Sequence, residues 1–219
     1  MPETPRSVLD SGKEPATYRL ESDLIGFAKT LCVFFGMFFF IKSSVVEAFK
    51  IPSSSMEPTL LIGDHILVNK LSYGFQLPFL SEMVYQYGNP ERGEVVVFSR
   101  PDQPETSDED ESDINIIKRV IGIPGDLVEV KGTKVYLNGE IYREDPTYRK
   151  WVLGGIKDFG PVRVPDNHVL LLGDNRDQSK DSRFWEDSPF LDIRRVKGRA
   201  FIIYWNKLWR FERIFKLIN

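Results

Sequence analysis

The chain has 219 residues, enough for one large domain or for a modest domain plus an anchor. Apolar residues make up 42%, sixteen of them Phe, so a real core can form, and a formal net charge of −3 gives no reason to expect a nucleic-acid partner. The single cysteine, Cys32, excludes an internal disulfide, and its apolar neighbours suit an inert small side chain rather than a reactive thiol.

Residues 1–23 are polar and rich in Pro, Glu and Ser, and read as a flexible tail. An apolar segment follows from Leu24, unbroken between Leu31 and Ile41; extending it to Phe49 admits Lys42 and Glu47. A membrane-spanning helix needs roughly 20 apolar residues. Lys29 and Lys42 can snorkel toward opposite interfaces, so residues 24–46 are expected to form a single transmembrane anchor. Two other readings are a cleaved signal peptide, with Val45-Val46-Glu47-Ala48 as a poor cleavage site, and a Phe-rich core helix. Arg6, Lys13, Arg19 and Lys29 precede the run, which places the N-terminus in the cytoplasm and residues 47–219 outside it.

Beyond Phe49 the pattern changes to short strand-like runs. These are His65–Asn69, Glu94–Phe98, Ile116–Ile121, Asp126–Val130, Lys134–Leu137, Val162–Val164, His168–Leu172 and Arg199–Trp205. Asn138-Gly139 is a strong hairpin-turn signal. Strands spaced by turns, without long helical patterns, predict a mainly β domain. Residues 101–113 are acidic and contain Pro, so a solvated loop is expected; an EF-hand would need a Gly and a ligand spacing they lack. In the C-terminal segment, residues 206–218, Lys207, Arg210, Arg213 and Lys216 recur every third position with Leu208, Phe211, Phe215 and Ile218 opposite. That pattern predicts an amphipathic helix, lying either at a lipid surface or against the β domain.

Three segments have compositions that chemistry would explain. Ile51-Pro-Ser-Ser-Ser-Met-Glu-Pro-Thr-Leu60 sets three serines between prolines in a tight polar turn. Ile116-Ile117-Lys118-Arg119-Val120-Ile121 puts a lysine inside an apolar strand, where burial lowers an amine's pKa enough to make it a base. The alternative is a lysine snorkelling from an edge strand. Gly173-Asp-Asn-Arg-Asp-Gln-Ser-Lys-Asp-Ser-Arg183 follows an apolar strand with a run of polar groups that must be internally paired if buried. The two histidines, His65 and His168, lie in or beside strands with nothing to mark a triad.

Taken together and in this order, with Gly63-Asp64-His-Ile-Leu-Val68 and Gly122-Ile-Pro-Gly125-Asp126 between them, these segments resemble the bacterial type I signal peptidases from about residue 24 to Trp205. The resemblance implies an antiparallel β domain of that family's kind behind one N-terminal transmembrane helix, in the bacterial cytoplasmic membrane. It implies a serine endopeptidase that removes signal peptides from exported preproteins, with no metal and no organic cofactor. At matching positions it implies Ser55 as nucleophile, Lys118 as general base and Ser53 as an oxyanion-hole hydroxyl beside the Ser55 N–H. It further implies Ser179 as the group that orients the lysine, Asp181 and Arg183 as a supporting ion pair, and Ile51, Met56, Leu60 and Ile117 as lining for the substrate cleft. This chain departs from the usual pattern at Gln178, Lys180 and Glu186, and in the length and acidity of residues 101–113. Other readings are a relative of the same fold that matures a conjugation pilus, an inactive anchored binding protein, and a soluble Ser/Lys autoprotease of the SOS-repressor type.

Overall fold

The computed structural model describes residues 16–75, 83–99, 115–145, 158–206 and 211–218, with the backbone alone for 16–23 and 40–43. The tail up to residue 15 and the acidic segment 101–113 lie outside the described residues. The chain divides into two compact units, residues 1–41 and 42–219.

The first unit is built on one helix, α1 (Ala16–Ser44). It begins at Ala16 rather than at the start of the apolar run and ends before Val46, so the last residue of the expected anchor already belongs to a strand. Leu24, Phe27, Val33, Phe34 and Phe39 are all exposed, which gives α1 apolar side chains around its circumference. Among the described residues no helix is long and apolar enough to cross a membrane. The unbroken run from Leu31 to Ile41 is about half of what a span requires.

The second unit is a mainly antiparallel β domain. Its first strands are β1 (Val46–Lys50), β2 (Asp64–Asn69), β3 (Gly74–Phe75), β4 (Tyr85–Gln86), β5 (Val95–Ser99), β6 (Asn115–Gly122) and β7 (Leu127–Lys131). There follow β8 (Lys134–Leu137), β9 (Glu140–Ile141), β10 (Phe159–Arg163), β11 (His168–Leu172), β12 (Leu191–Asp192), β13 (Val196–Asn206) and β14 (Lys216–Leu217). The main sheet runs β1-β2-β13-β5-β6-β11-β12, with β14 on β13; β10-β7-β8-β9 form a second sheet and β3-β4 a small ribbon. Each predicted strand is present, most with ends moved by a residue or two, and the Asn138-Gly139 turn joins β8 to β9 with both residues at positive φ.

Burial follows position in the sheet. β2 alternates buried and half-buried residues, as a strand with one covered face should. β5 and β6, in the sheet interior, are buried in near-continuous runs because both faces are covered. One core cluster packs Ile51, Met56 and Leu60 against Ile66, Val97 and Ile117; another joins Phe98, Val120, Leu171 and Ile193; a third fills the second sheet around Val128 and Leu170.

The expected C-terminal helix is not formed in its described part. Phe211–Arg213 make one 3-10 turn and Lys216–Leu217 pair with β13. Arg213, expected on a solvated face, is buried against Asp64. The reason is tertiary: a carboxylate with no exposure at the start of β2 draws the guanidinium inward, and that pairing outweighs a helical periodicity.

Candidate active site

The site forms where two loops meet strand β6. The turn carrying Ser53 and Ser55 lies between β1 and β2, rooted in the core by Ile51, Met56 and Leu60 on either side. It is closed by hydrogen bonds from Glu57 N to Ser54 O at 3.1 Å and from Leu60 N to Met56 O at 2.9 Å. Ser55 is buried, and Ser53, on the exposed side, has its Oγ 3.4 Å from Ser55 Oγ.

Lys118 reaches this turn from β6. Its Nζ donates to Ser55 Oγ at 2.9 Å and to Ile117 O at 2.9 Å. The snorkelling alternative does not hold, because the amine turns inward to Ser55 and is buried rather than reaching solvent, with Lys118 opposite Val96 on β5. Only 4% of Lys118 is exposed, and burial lowers its pKa to about 8, against the opposing pull of the Asp181 and Asp174 carboxylates. Both carboxylates are tied to arginines, Asp174 to Arg119 and Asp181 to Arg183, each pair buried and 2.8 Å apart.

Pairing with β11 reaches only Arg119, opposite Leu172, so among the described residues Asn115–Lys118 have a strand on the β5 side alone.

The loop Gly173–Arg183 closes the site on its other side. Asp181 accepts from Gly173 N at 2.9 Å and from Arg183 Nε at 2.8 Å, while Arg183 Nη2 donates to Arg176 O at 2.6 Å. Arg176 in turn forms a buried double hydrogen bond with Glu144. A Cβ at Gly173 would stand 2.5 Å from Ser55 O and overlap the Ser179 side chain, so only glycine lets these segments meet. Ser179 Oγ is buried with no hydrogen-bond partner among the described residues, and none links it to Lys118.

Of the site residues expected from the sequence, the structure brings Ser53, Ser55 and Lys118 together and pairs Asp181 with Arg183 in the loop that carries Ser179, whose Oγ is unbonded among the described residues. Ile51, Met56, Leu60 and Ile117 lie in the core, Met56 and Leu60 without any exposed surface. The reasoning missed the role of Arg119. A guanidinium in the middle of an apolar strand must find a buried carboxylate, and Asp174, held also by Thr59 Oγ1 at 2.5 Å, supplies it. It also missed Asn175, whose N donates to Ser55 O at 3.1 Å and whose Nδ2 donates to Ser54 O at 3.0 Å.

A family model described as signal peptidase, peptidase S26, matches residues 24–205, which contain all the site residues named in this subsection. The chain belongs to that family. Among its relatives, the signal peptidase I of Pseudomonas aeruginosa is 37% identical, the match covering 75% of this chain and 66% of that protein. The probable signal peptidase I-2 of Synechocystis is 39% identical over the same shares. The signal peptidase I of Buchnera aphidicola from Acyrthosiphon pisum is 44% identical over 81% of this chain and 75% of that one. The chain thus spans 66% of the length of the Pseudomonas and Synechocystis relatives. Residues 206–218 lie past the match.

Proposed function

We propose that the chain is a membrane-anchored serine endopeptidase that removes N-terminal signal peptides from exported preproteins, using Ser55 as nucleophile and Lys118 as general base. The observation that carries this reading is the buried 2.9 Å contact between Lys118 Nζ and Ser55 Oγ, with the amine's pKa near 8. An amine so placed is neutral in a useful fraction of molecules near neutral pH, and an adjacent hydroxyl is the group it can deprotonate.

In the neutral amine two N–H bonds donate and the lone pair faces Ser55. Ile117 O takes one donor, and Ser179 Oγ is the proposed second acceptor, orienting the lone pair. Lys118 accepts the Ser55 proton as Oγ attacks the scissile carbonyl. The Ser55 N–H and the Ser53 hydroxyl stabilise the resulting oxyanion, a donor of this kind contributing about 3 kcal/mol. Lys118 then protonates the leaving amine, giving an acyl-enzyme, and afterwards deprotonates the attacking water. The Asp181–Arg183 pair holds the loop that carries Ser179.

The substrate is proposed to add as a strand along the side of Asn115–Lys118 that no described strand pairs, with small residues such as Ala before the cut. Ile51, Met56, Leu60 and Ile117 are proposed to back that cleft from the core. Residues 24–46 are proposed as the single-pass anchor in the bacterial cytoplasmic membrane, N-terminus inside and catalytic unit outside. The support is the exposed apolar surface of α1, whose 29 residues extend about 43 Å against a hydrocarbon core of about 30 Å.

The test is cleavage of a signal-peptide-bearing precursor by the purified full chain. Ser55→Ala and Lys118→Ala are each expected to lower kcat by at least a thousandfold while the protein stays folded. Near-wild-type cleavage by either variant rejects the dyad.

A further inference from the structure

We infer that Asn175 is a positioning residue whose side chain sets the direction of the Ser55 N–H, the backbone donor of the oxyanion site. The inference rests on the reading of Ser55 as nucleophile.

The argument starts from the peptide plane. The Ser54–Ser55 bond is trans, so the Ser54 carbonyl and the Ser55 N–H are coplanar and point in opposite directions. Whatever holds the Ser54 oxygen therefore aims the Ser55 N–H. Two donors hold it: Glu57 N at 3.1 Å, from within the same turn, and Asn175 Nδ2 at 3.0 Å, from the opposite loop. The Glu57 bond shapes the turn but cannot fix where the turn faces. The Asn175 bond ties it to the wall of the site, and Asn175 N grips the next carbonyl, Ser55 O, at 3.1 Å.

Both carbonyls flanking the nucleophile's α-carbon are thus held by one residue with no exposed surface. The orientation of its carboxamide follows from its neighbours. Nδ2 faces two acceptors, Ser54 O and Gln178 Oε1 at 3.4 Å, while Oδ1 is buried with no partner among the described residues. A reversed amide would set oxygen against oxygen at the Ser54 carbonyl, which can only accept. Among the described residues no backbone carbonyl accepts from the Ser55 N–H, so the donor is uncommitted. A preorganised donor lowers a barrier because it needs no reorganisation when charge develops; Asn175 supplies that preorganisation from outside the turn.

Asn175→Ala removes the Ser54 O contact and keeps the backbone N–H bond to Ser55 O. With a signal-peptide-bearing precursor and the full chain, kcat is expected to fall on the order of tenfold, less than the hundredfold or more of deleting a donor outright. KM and the pH midpoint of kcat/KM should match wild type, because neither substrate binding nor the lysine is touched. A wild-type kcat, or a loss accompanied by a shifted pH midpoint or by a matching rise in KM, overturns the inference. Should Asn175→Ala lose its cooperative thermal transition, Asn175→Asp keeps the shape without the Nδ2 donor; a lowered kcat at unchanged KM supports the inference and a wild-type kcat overturns it. Ser55→Ala is run beside these variants. Its inactivity with a fully active Asn175→Ala rejects only the positioning role, whereas an active Ser55→Ala rejects the nucleophile assignment and this inference with it.

Discussion

A lysine amine in water holds its proton until well above neutral pH, and Lys118 can act as a base only because the fold withholds water from it. With a folded pKa of about 8, kcat/KM is expected to rise with pH, reach half its maximum near pH 8 and level off above, as a pH–rate series would show. The same burial opposes folding. Between pH 8 and the ordinary value of 10.5 the unfolded chain binds more protons than the folded one, so stability rises with pH across that window. Below pH 8 the whole penalty is present, on the order of 3 kcal/mol for a shift of this size. Lys118→Met is therefore expected to melt at a higher temperature than wild type at pH 7, with the gap closing toward pH 10, and to be inactive. Equal or lower melting at pH 7 would show that the amine is not held against its preferred charge.

At the scale of the element, two loops and a strand are kept in register by buried arginine–carboxylate pairs. Arg119–Asp174 joins β6 to the loop after β11, and Arg176–Glu144 joins that loop to the residues after β9. Arg213–Asp64 joins the C-terminal segment to β2, with Arg213 Nη2 also donating to Thr59 O at 2.8 Å. Removing one partner of such a pair leaves an uncompensated charge and costs about 3–5 kcal/mol. Arg213→Met should lose that much in denaturant unfolding, and the double variant Asp64→Asn/Arg213→Met should lose less than the sum of its singles; additive losses would mean that the two residues do not act as a pair. Gly173 serves the same assembly through its missing Cβ. Gly173→Ala forces Ser179 away from the Ser55 carbonyl and is expected to cost about 1–3 kcal/mol and most of the activity. Wild-type melting and cleavage would show that the loop has slack.

The molecule as a whole combines a helix with an exposed apolar circumference and a β unit with its own cores. The proposed division of labour is attachment by the first unit and chemistry by the second. The full chain is expected to stay with the membrane pellet after alkaline carbonate extraction, and a chain starting at Lys42 is expected to retain a cooperative melt. Recovery of the full chain in the carbonate supernatant would remove the anchor from the proposal.

The residue pattern alone was enough to read the strands and the Asn138-Gly139 turn, because alternation and turn chemistry are local properties; the roles expected of Ser55 and Lys118 came from the family resemblance, since a Ser-rich turn and a lysine in an apolar strand are each commonplace taken singly. The pattern was not enough for the C-terminal segment, where a helical spacing gave way to a 3-10 turn and a short strand. Only the tertiary structure decided that the Lys118 amine is buried, that it meets a hydroxyl 63 positions away, and that Arg119 and Arg213 have buried carboxylates waiting for them. Those facts depend on strand order and on which faces are covered. A charge's partner in a dry interior is chosen by what the sheet brings next to it, and no local pattern records that choice.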